Sequence, residues 1–199
     1  MDLVLIRHPA PAVEAGICYG TSDLALAGEA QAEAVAIVAR LRAARLGWPE
    51  AILASPLQRC ALVAQEIGAL AMRPVRLDVR LREIDFGAWE MQRWDEIGAA
   101  ALDRWQSNLM GKREHGGESA MQFMARIESF TLPFAASLPE DVMTAIVITH
   151  AGVIRALASL WLGVPLESLL KRAIAYGGLV RFSRDARGWQ LIQWDGTLG

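Results

Sequence analysis

Two of the chain's three histidines stand in the same context. His8 ends the segment Leu3-Val4-Leu5-Ile6-Arg7-His8, and His150 directly follows Ala145-Ile146-Val147-Ile148-Thr149. Both apolar runs have the length of strands buried on two faces. Open α/β sheets bind ligands beyond the carboxyl ends of their strands. One histidine there is as readily structural as chemical; two at two strand ends point to one shared pocket. Arginines accompany them. Arg7 precedes His8, Arg59 lies in the first turn of a helix expected after Ser55, and Arg155 lies one turn past His150. A guanidinium holds two phosphate oxygens at once. The helix N-termini after Ser55 and after Gly152 are expected to add N–H donors and a favourable dipole for an anion. The pattern predicts an imidazole beside a bound oxyanion. Two histidines and a carboxylate also suit zinc, but neighbouring arginines repel a cation, and HExxH, HxH and Cys/His clusters are absent. No metal and no cofactor are expected.

The elements that must position these residues are legible in outline. Strands are expected at Leu3–Ile6, Ala51–Ala54, Val75–Asp78 and Ala145–Thr149, with a closing pair, Gly178–Ser183 and Trp189–Trp194, around the turn Asp185–Gly188. Ala32, Val35, Ala36, Ala39, Ala43 and Leu46 recur at helical spacing before Gly47 and Pro49. A second helix is expected with Ser55 as N-cap, Pro56 in the first helical position and Gln58 completing a capping box. Its buried stripe would be Leu57, Ala61, Ala64, Ile67 and Ala71. Further helical patterns cover Trp94–Met110, Ser119–Ser137 and Val153–Leu162. Strands alternating with helices predict an α/β three-layer sandwich, with a mostly parallel sheet of about six strands, helices on both faces and an antiparallel edge. Met110–Ser119 reads as a mobile loop over the sheet end, and His115 within it as a solvated histidine.

Composition narrows the class. A chain of 199 residues, 53% hydrophobic, suits one domain with a well-supplied core. A net charge of −2 argues against a general nucleic-acid binder. The N-terminus carries no signal-peptide pattern, and no apolar run is long enough to span a bilayer. Cys18 and Cys60 form no CxxC motif and are expected as reduced thiols in a cytoplasmic protein.

Several segments, in order, resemble the histidine phosphatase superfamily, with its phosphoglycerate-mutase-like fold. They are Leu5-Ile6-Arg7-His8, Leu26-Ala27-Gly28-Glu29-Ala30-Gln31-Ala32, Ser55-Pro56-Leu57-Gln58-Arg59-Cys60, the run Leu81–Glu90, Gly117-Glu118-Ser119 and Thr149-His150-Ala151-Gly152. The likeness extends over essentially the full length and implies a single domain, 1–199. It also implies that His8 is the nucleophile, that Arg7, Arg59 and His150 complete the phosphate pocket, and that Glu83 is the proton donor. General chemistry agrees: a neutral imidazole attacks phosphorus, cations stabilise the charged oxygens, and a carboxylic acid protonates the leaving alkoxide. One departure stands out. The family usually reads Arg-His-Gly followed by Glu or Gln and Thr, whereas this chain has Pro9-Ala10-Pro11.

The Arg-His-Pro opening and Cys18-Tyr19-Gly20-Thr21-Ser22-Asp23-Leu24 resemble the alpha-ribazole phosphatases of cobalamin biosynthesis. That likeness implies hydrolysis of alpha-ribazole 5'-phosphate, with Tyr19 and Thr21 at the pocket rim and an apolar mouth for the base. Trp89, Trp94, Trp105, Met110, Met121 and Met124 are the candidates for that mouth. The partner is then a small-molecule phosphomonoester, with no nucleic acid and no membrane, acting on a monomer or homodimer. The alternatives are a broad-specificity phosphatase, a phosphoglycerate-mutase-like enzyme, a protein-phosphohistidine phosphatase and a phosphate-binding module without turnover.

Overall fold

Two short apolar strands side by side decide where the histidines emerge. In the computed structural model, which describes residues 1–137, 142–195, 197 and 198, β1 (Asp2–Arg7) pairs in parallel with β4 (Thr144–Thr149). The register sets Arg7 opposite Thr149, and the His8 N–H donates to the Thr149 carbonyl at 2.8 Å. His8 and His150 therefore leave the sheet next to each other. β2 (Ala51–Ala54) flanks β4 in parallel, followed by β3 (Val75–Leu77). On the other side β5 (Leu179–Asp185) runs antiparallel to β1 and continues into β6 (Gly188–Trp194) and the two-residue β7 (Thr197–Leu198). The order is β3-β2-β4-β1-β5-β6-β7: a parallel centre with the expected antiparallel edge, which β7 extends.

Side-chain alternation divides the core into two layers, because successive residues of a strand point to opposite faces. Leu3, Leu5, Ala145 and Val147 pack with Phe123, Ile127 and Phe130 of α4 (Ala120–Ser137) and with Val153, Ile154 and Leu157 of α5 (Ala151–Leu162). Val4, Ile6, Ile146 and Ile148 pack instead with Ala34, Ile37 and Leu41 of α1 (Ala30–Ala43) and Val63 and Ile67 of α2 (Gln58–Ala71). Each large aliphatic side chain so buried contributes roughly 1.5–3 kcal/mol. A three-layer α/β sandwich results, with helices on both faces.

Three local expectations need correction. The α1 stripe lies on another face: Ala34, Ile37, Val38 and Leu41 are buried, whereas Ala32, Val35, Ala36, Ala39 and Ala43 are exposed. Alanine occurs all round this helix, so its spacing carries little information; the larger Ile37 and Leu41 decide the face. Ser55 does not cap α2. The helix begins at Gln58 with Leu57 before it, and the Gln58 N–H donates to the Asp23 carboxylate at 2.7 Å. Between Trp94 and Met110 only α3 (Ala99–Gln106) is helical, starting after Gly98. A further α-helix, α6 (Leu166–Leu169), is a single turn beside the site.

Candidate active site

The floor of the site is buried and polar. His8, His150, Arg59 and Ser55 are at most 2% exposed. His8 Nδ1 lies 2.7 Å from the Pro9 carbonyl oxygen. A carbonyl only accepts, so Nδ1 carries the proton and Nε2 keeps its lone pair. Burial, followed by the charges of Arg59 and Arg7, outweighs the Pro9 carbonyl and takes the His8 pKa down to about 3. The imidazole is thus neutral at physiological pH, as a nitrogen nucleophile requires.

His150 stands behind it, the ring centroids 5.1 Å apart. Its Nδ1 faces the Arg59 guanidinium at 3.3 Å, and its Nε2 faces the Ser55 hydroxyl at 2.9 Å. Arginine cannot accept, so Nδ1 accepts and Nε2–H donates to Ser55. This explains why Ser55 is not a helix cap. Burial first, then the other charges of the site, holds the His150 pKa well below its ordinary value. The Cys60 thiol, 3.6 Å from His150 Nε2, is pushed up by burial and stays protonated. Arg59 is anchored on the Ser22 and Gly20 carbonyls at 2.6 and 2.7 Å, and Arg7 on the Ile174 carbonyl at 2.7 Å. Both retain a buried Nε–H without a protein partner, a donor already desolvated.

The expected helix N-termini behave differently. The Gly152 N–H at the start of α5 donates to Glu83 Oε2 at 3.0 Å, and the Gln58 N–H is taken by Asp23. At each end one N–H is taken by a carboxylate of the protein itself. At α5 this places Glu83 in the site, with Oε1 accepting from the Ile84 N–H at 3.0 Å. A Cβ at Gly152 would collide with that carboxylate, so only glycine permits the approach.

Next to His8 opens a cavity of about 360 Å³. Arg7, His8, Tyr19, Glu83 and Arg155 border it on one side. Ile17, Ile84, Phe86, Trp94, Trp105, Leu109, Phe123, Leu166 and Leu170 supply most of its apolar wall. Of the expected mouth residues, Trp94 and Trp105 line the cavity. Trp89 is buried behind them, Met121 is exposed, and Met124 packs on the core. Met110 does not line it either. Thr21 is also absent from its lining, because its N–H and hydroxyl both bond Glu90 Oε1, at 2.8 and 2.9 Å. Burial raises the Glu90 pKa, but hydrogen bonds from Ser22, Thr21 and Phe86 outweigh it and hold the carboxyl below its ordinary range. Glu90 thereby fixes the loop whose carbonyls anchor Arg59.

His115 overturns its expectation. It is 2% exposed, ringed by Trp89 at 5.0 Å, Phe86 at 5.5 Å and Trp105 at 6.3 Å between centroids. Its carbonyl accepts from the Ala88 N–H at 2.8 Å. The segment expected to be a loose loop is therefore pinned to the turn that follows Glu83. Tyr176 was not anticipated. Its ring lies 3.9 Å under the Arg7 guanidinium, and its hydroxyl meets that of Tyr19 at 3.0 Å. Only its place just before β5, adjoining β1, would have signalled it.

Comparison with known proteins converges on this geometry. The profile described as histidine phosphatase superfamily (branch 1) matches residues 3–197. The chain belongs to the histidine phosphatase superfamily. A glucosyl-3-phosphoglycerate phosphatase of Mycolicibacterium vanbaalenii is 30% identical over 181 residues, covering 83% of this chain and 76% of the relative. A probable phosphoglycerate mutase of Erwinia tasmaniensis is 27% identical over 199 residues, covering 98% and 90%. The crystal structure of the alpha-ribazole phosphatase from Shigella flexneri superposes with a TM-score of 0.85, covering 100% of this chain and 98% of that one. At 22% identity it shows the shared fold. Among the described residues, this histidine phosphatase has no group of three or more His, Cys, Asp and Glu side chains able to hold a metal. It also has no helix long and apolar enough to cross a membrane.

Proposed function

We propose that this phosphatase hydrolyses a small phosphomonoester through a phosphohistidine on His8, as one domain spanning residues 1–199 in the cytoplasm. The observation that carries the reading is the orientation of His8: Nδ1–H is held by Pro9, leaving the Nε2 lone pair on a ring that borders the cavity. Arg7, Arg59 and His150 are assigned to the phosphate pocket, where the two fixed guanidinium cations favour the charged phosphoryl oxygens. In the reaction the Nε2–P bond forms as the P–O bond to the leaving alcohol breaks. Glu83 is assigned to supply the proton to the departing oxygen. It then takes one from the water that attacks the phosphohistidine, releasing orthophosphate and regenerating His8.

For the leaving alcohol we assign alpha-ribazole, the substrate being alpha-ribazole 5'-phosphate. The cavity supports this choice. Indole and phenyl rings of Phe86, Trp94 and Trp105 offer flat apolar surface for an uncharged aromatic base. Glycerate or a glucosyl group would leave hydroxyls and carboxylate facing that wall with few partners. Arg155 favours a second reading, an anionic or sugar leaving group, because among the described residues it is the one cation bordering the cavity besides Arg7. The test is kcat/KM for alpha-ribazole 5'-phosphate against 3-phosphoglycerate and simple sugar phosphates. A preference of at least about tenfold for the ribazole ester is expected, from the contact area of one aromatic ring system. Equal values would demote the ribazole assignment to a broad-specificity phosphatase. Absence of phosphate release from every ester would sink the enzyme reading and leave a binding module.

A further inference from the structure

The chain that follows His8 has little to offer a phosphate. Pro9 and Pro11 have no N–H, and Ala10, Ala12 and Val13 have no polar side chain. The Ala12 N–H is spent on the Ala25 carbonyl and the Val13 N–H on the Pro11 carbonyl, while the His8 N–H is spent on Thr149. That leaves the Ala10 N–H as the one backbone donor between His8 and Val13 not spent on a backbone carbonyl, and no side-chain donor in that stretch.

Tyr176 is placed to supply such a donor from elsewhere in the fold. Its ring centroid is 5.7 Å from that of His8, and that of Tyr19 is 6.4 Å away. The two hydroxyls, 157 residues apart in sequence, meet at 3.0 Å. Two hydroxyls own two protons, and the bond between them uses one. The other is free for an acceptor. Arg7 only donates, so its closeness consumes neither. Burial first, then the bond to Tyr176, pushes the Tyr19 pKa up to about 12, so Tyr19 keeps its proton.

Although Tyr176 is 41% exposed, its backbone is tightly laced to the end of β1. The Gly177 N–H donates to the Arg7 carbonyl at 3.1 Å, and the Arg7 N–H to the Gly178 carbonyl at 3.1 Å. Arg40 donates to the Gly177 carbonyl at 2.7 Å, and the Ala175 N–H donates to Asp195 at 2.5 Å. The Arg7 guanidinium then spans the same loop, bonding Ile174 and lying over the Tyr176 ring. A merely solvated tyrosine needs none of this. We propose that Tyr176, accepting a hydrogen bond from the Tyr19 hydroxyl, is a phosphate-binding residue that donates its own hydroxyl proton to the phosphoryl group at His8, supplying a contact that the side chains of the Pro9-Ala10-Pro11 loop do not. The assignment rests on His8 being the phosphate acceptor.

The test is Tyr176→Phe, which keeps the ring over Arg7 and removes only the hydroxyl. kcat/KM is measured for p-nitrophenyl phosphate and for an alkyl phosphate, together with the inhibition constant for orthophosphate. A lost hydrogen bond to a charged group predicts a fall of about tenfold for both esters and a similar rise in the constant. The equal factor is the signature of a contact to the phosphoryl group, which both esters share. Unchanged kinetics and inhibition, or a loss confined to one ester, overturn the assignment. Tyr19→Phe leaves the Tyr176 hydroxyl in place and is expected to lose less; the reverse order also overturns it. If the wild-type chain releases no phosphate, the functional reading fails on its own. Calorimetric titration of orthophosphate into wild type and Tyr176→Phe then still decides the contact, equal affinities refuting it.

Discussion

The protein buries histidines in two regions, and they differ in what surrounds the ring nitrogens. At the ends of β1 and β4, His8 and His150 sit among Arg7, Arg59, Ser55 and backbone carbonyls, and each nitrogen has an assigned role. In the aromatic cage, His115 is as little exposed, yet it faces rings. Its Nδ1 accepts from the Gly117 N–H at 3.1 Å, and its Nε2 has no partner. All three pKa values are lowered, in each case first by burial. Burial and a lowered pKa therefore do not mark a chemical histidine. What separates the regions is an available lone pair beside fixed cations, which only the first provides.

Substitutions can break or sharpen that contrast. The largest effect is expected at His8. His8→Ala should abolish phosphate release, a loss on the order of 10⁴-fold or more, and remove acid-labile labelling by a radioactive phosphoester. A fully active variant would exclude phosphohistidine chemistry. Glu83→Gln comes next, with kcat reduced about 10²- to 10⁴-fold for alkyl esters and far less for p-nitrophenyl phosphate, whose leaving group needs no proton. An equal loss for both would move Glu83 out of proton transfer. Trp105→Ala is expected to cost about tenfold in kcat/KM for an ester with an aromatic leaving group. Glycerol phosphate should be nearly unaffected, which a side-by-side assay would show.

His115→Phe should change turnover least, within about twofold, since it replaces one ring by another at a position behind the cavity wall rather than in it. Its effect belongs to stability. A histidine whose folded pKa lies below 6.5 binds fewer protons than in the unfolded chain, so it costs stability as the pH falls below 6.5. Replacing it should flatten the decline of Tm below about pH 6.5, leaving the share contributed by His8 and His150. A steeper decline in the variant, or a turnover loss matching that of His8→Ala, would erase the distinction between the two regions.

Much of the parallel sheet was readable because its strands are uninterrupted apolar runs, and such runs have few alternatives once buried on both faces. Leu3–Ile6 and Ala145–Thr149 could be placed for that reason, and His8, Arg59, Glu83 and His150 by their motif context. The α1 face was not readable, because an alanine-rich helix presents similar spacing in several directions and the larger Ile37 and Leu41 choose between them. Ser55 illustrates a competition that local sequence cannot show: its hydroxyl serves His150, 95 residues away, and Asp23 takes over the start of α2.

The sequence by itself determined the fold class, the pair of strand-end histidines and the arginines beside them, since these follow from residue type and order along the chain. Tertiary structure alone decided which nitrogen of His8 is free, that Glu83 rests against Gly152, that His115 is a buried peg and that Tyr176 reaches Tyr19. Each depends on groups brought together from distant segments, and hydrogen-bond direction exists only once donor and acceptor meet.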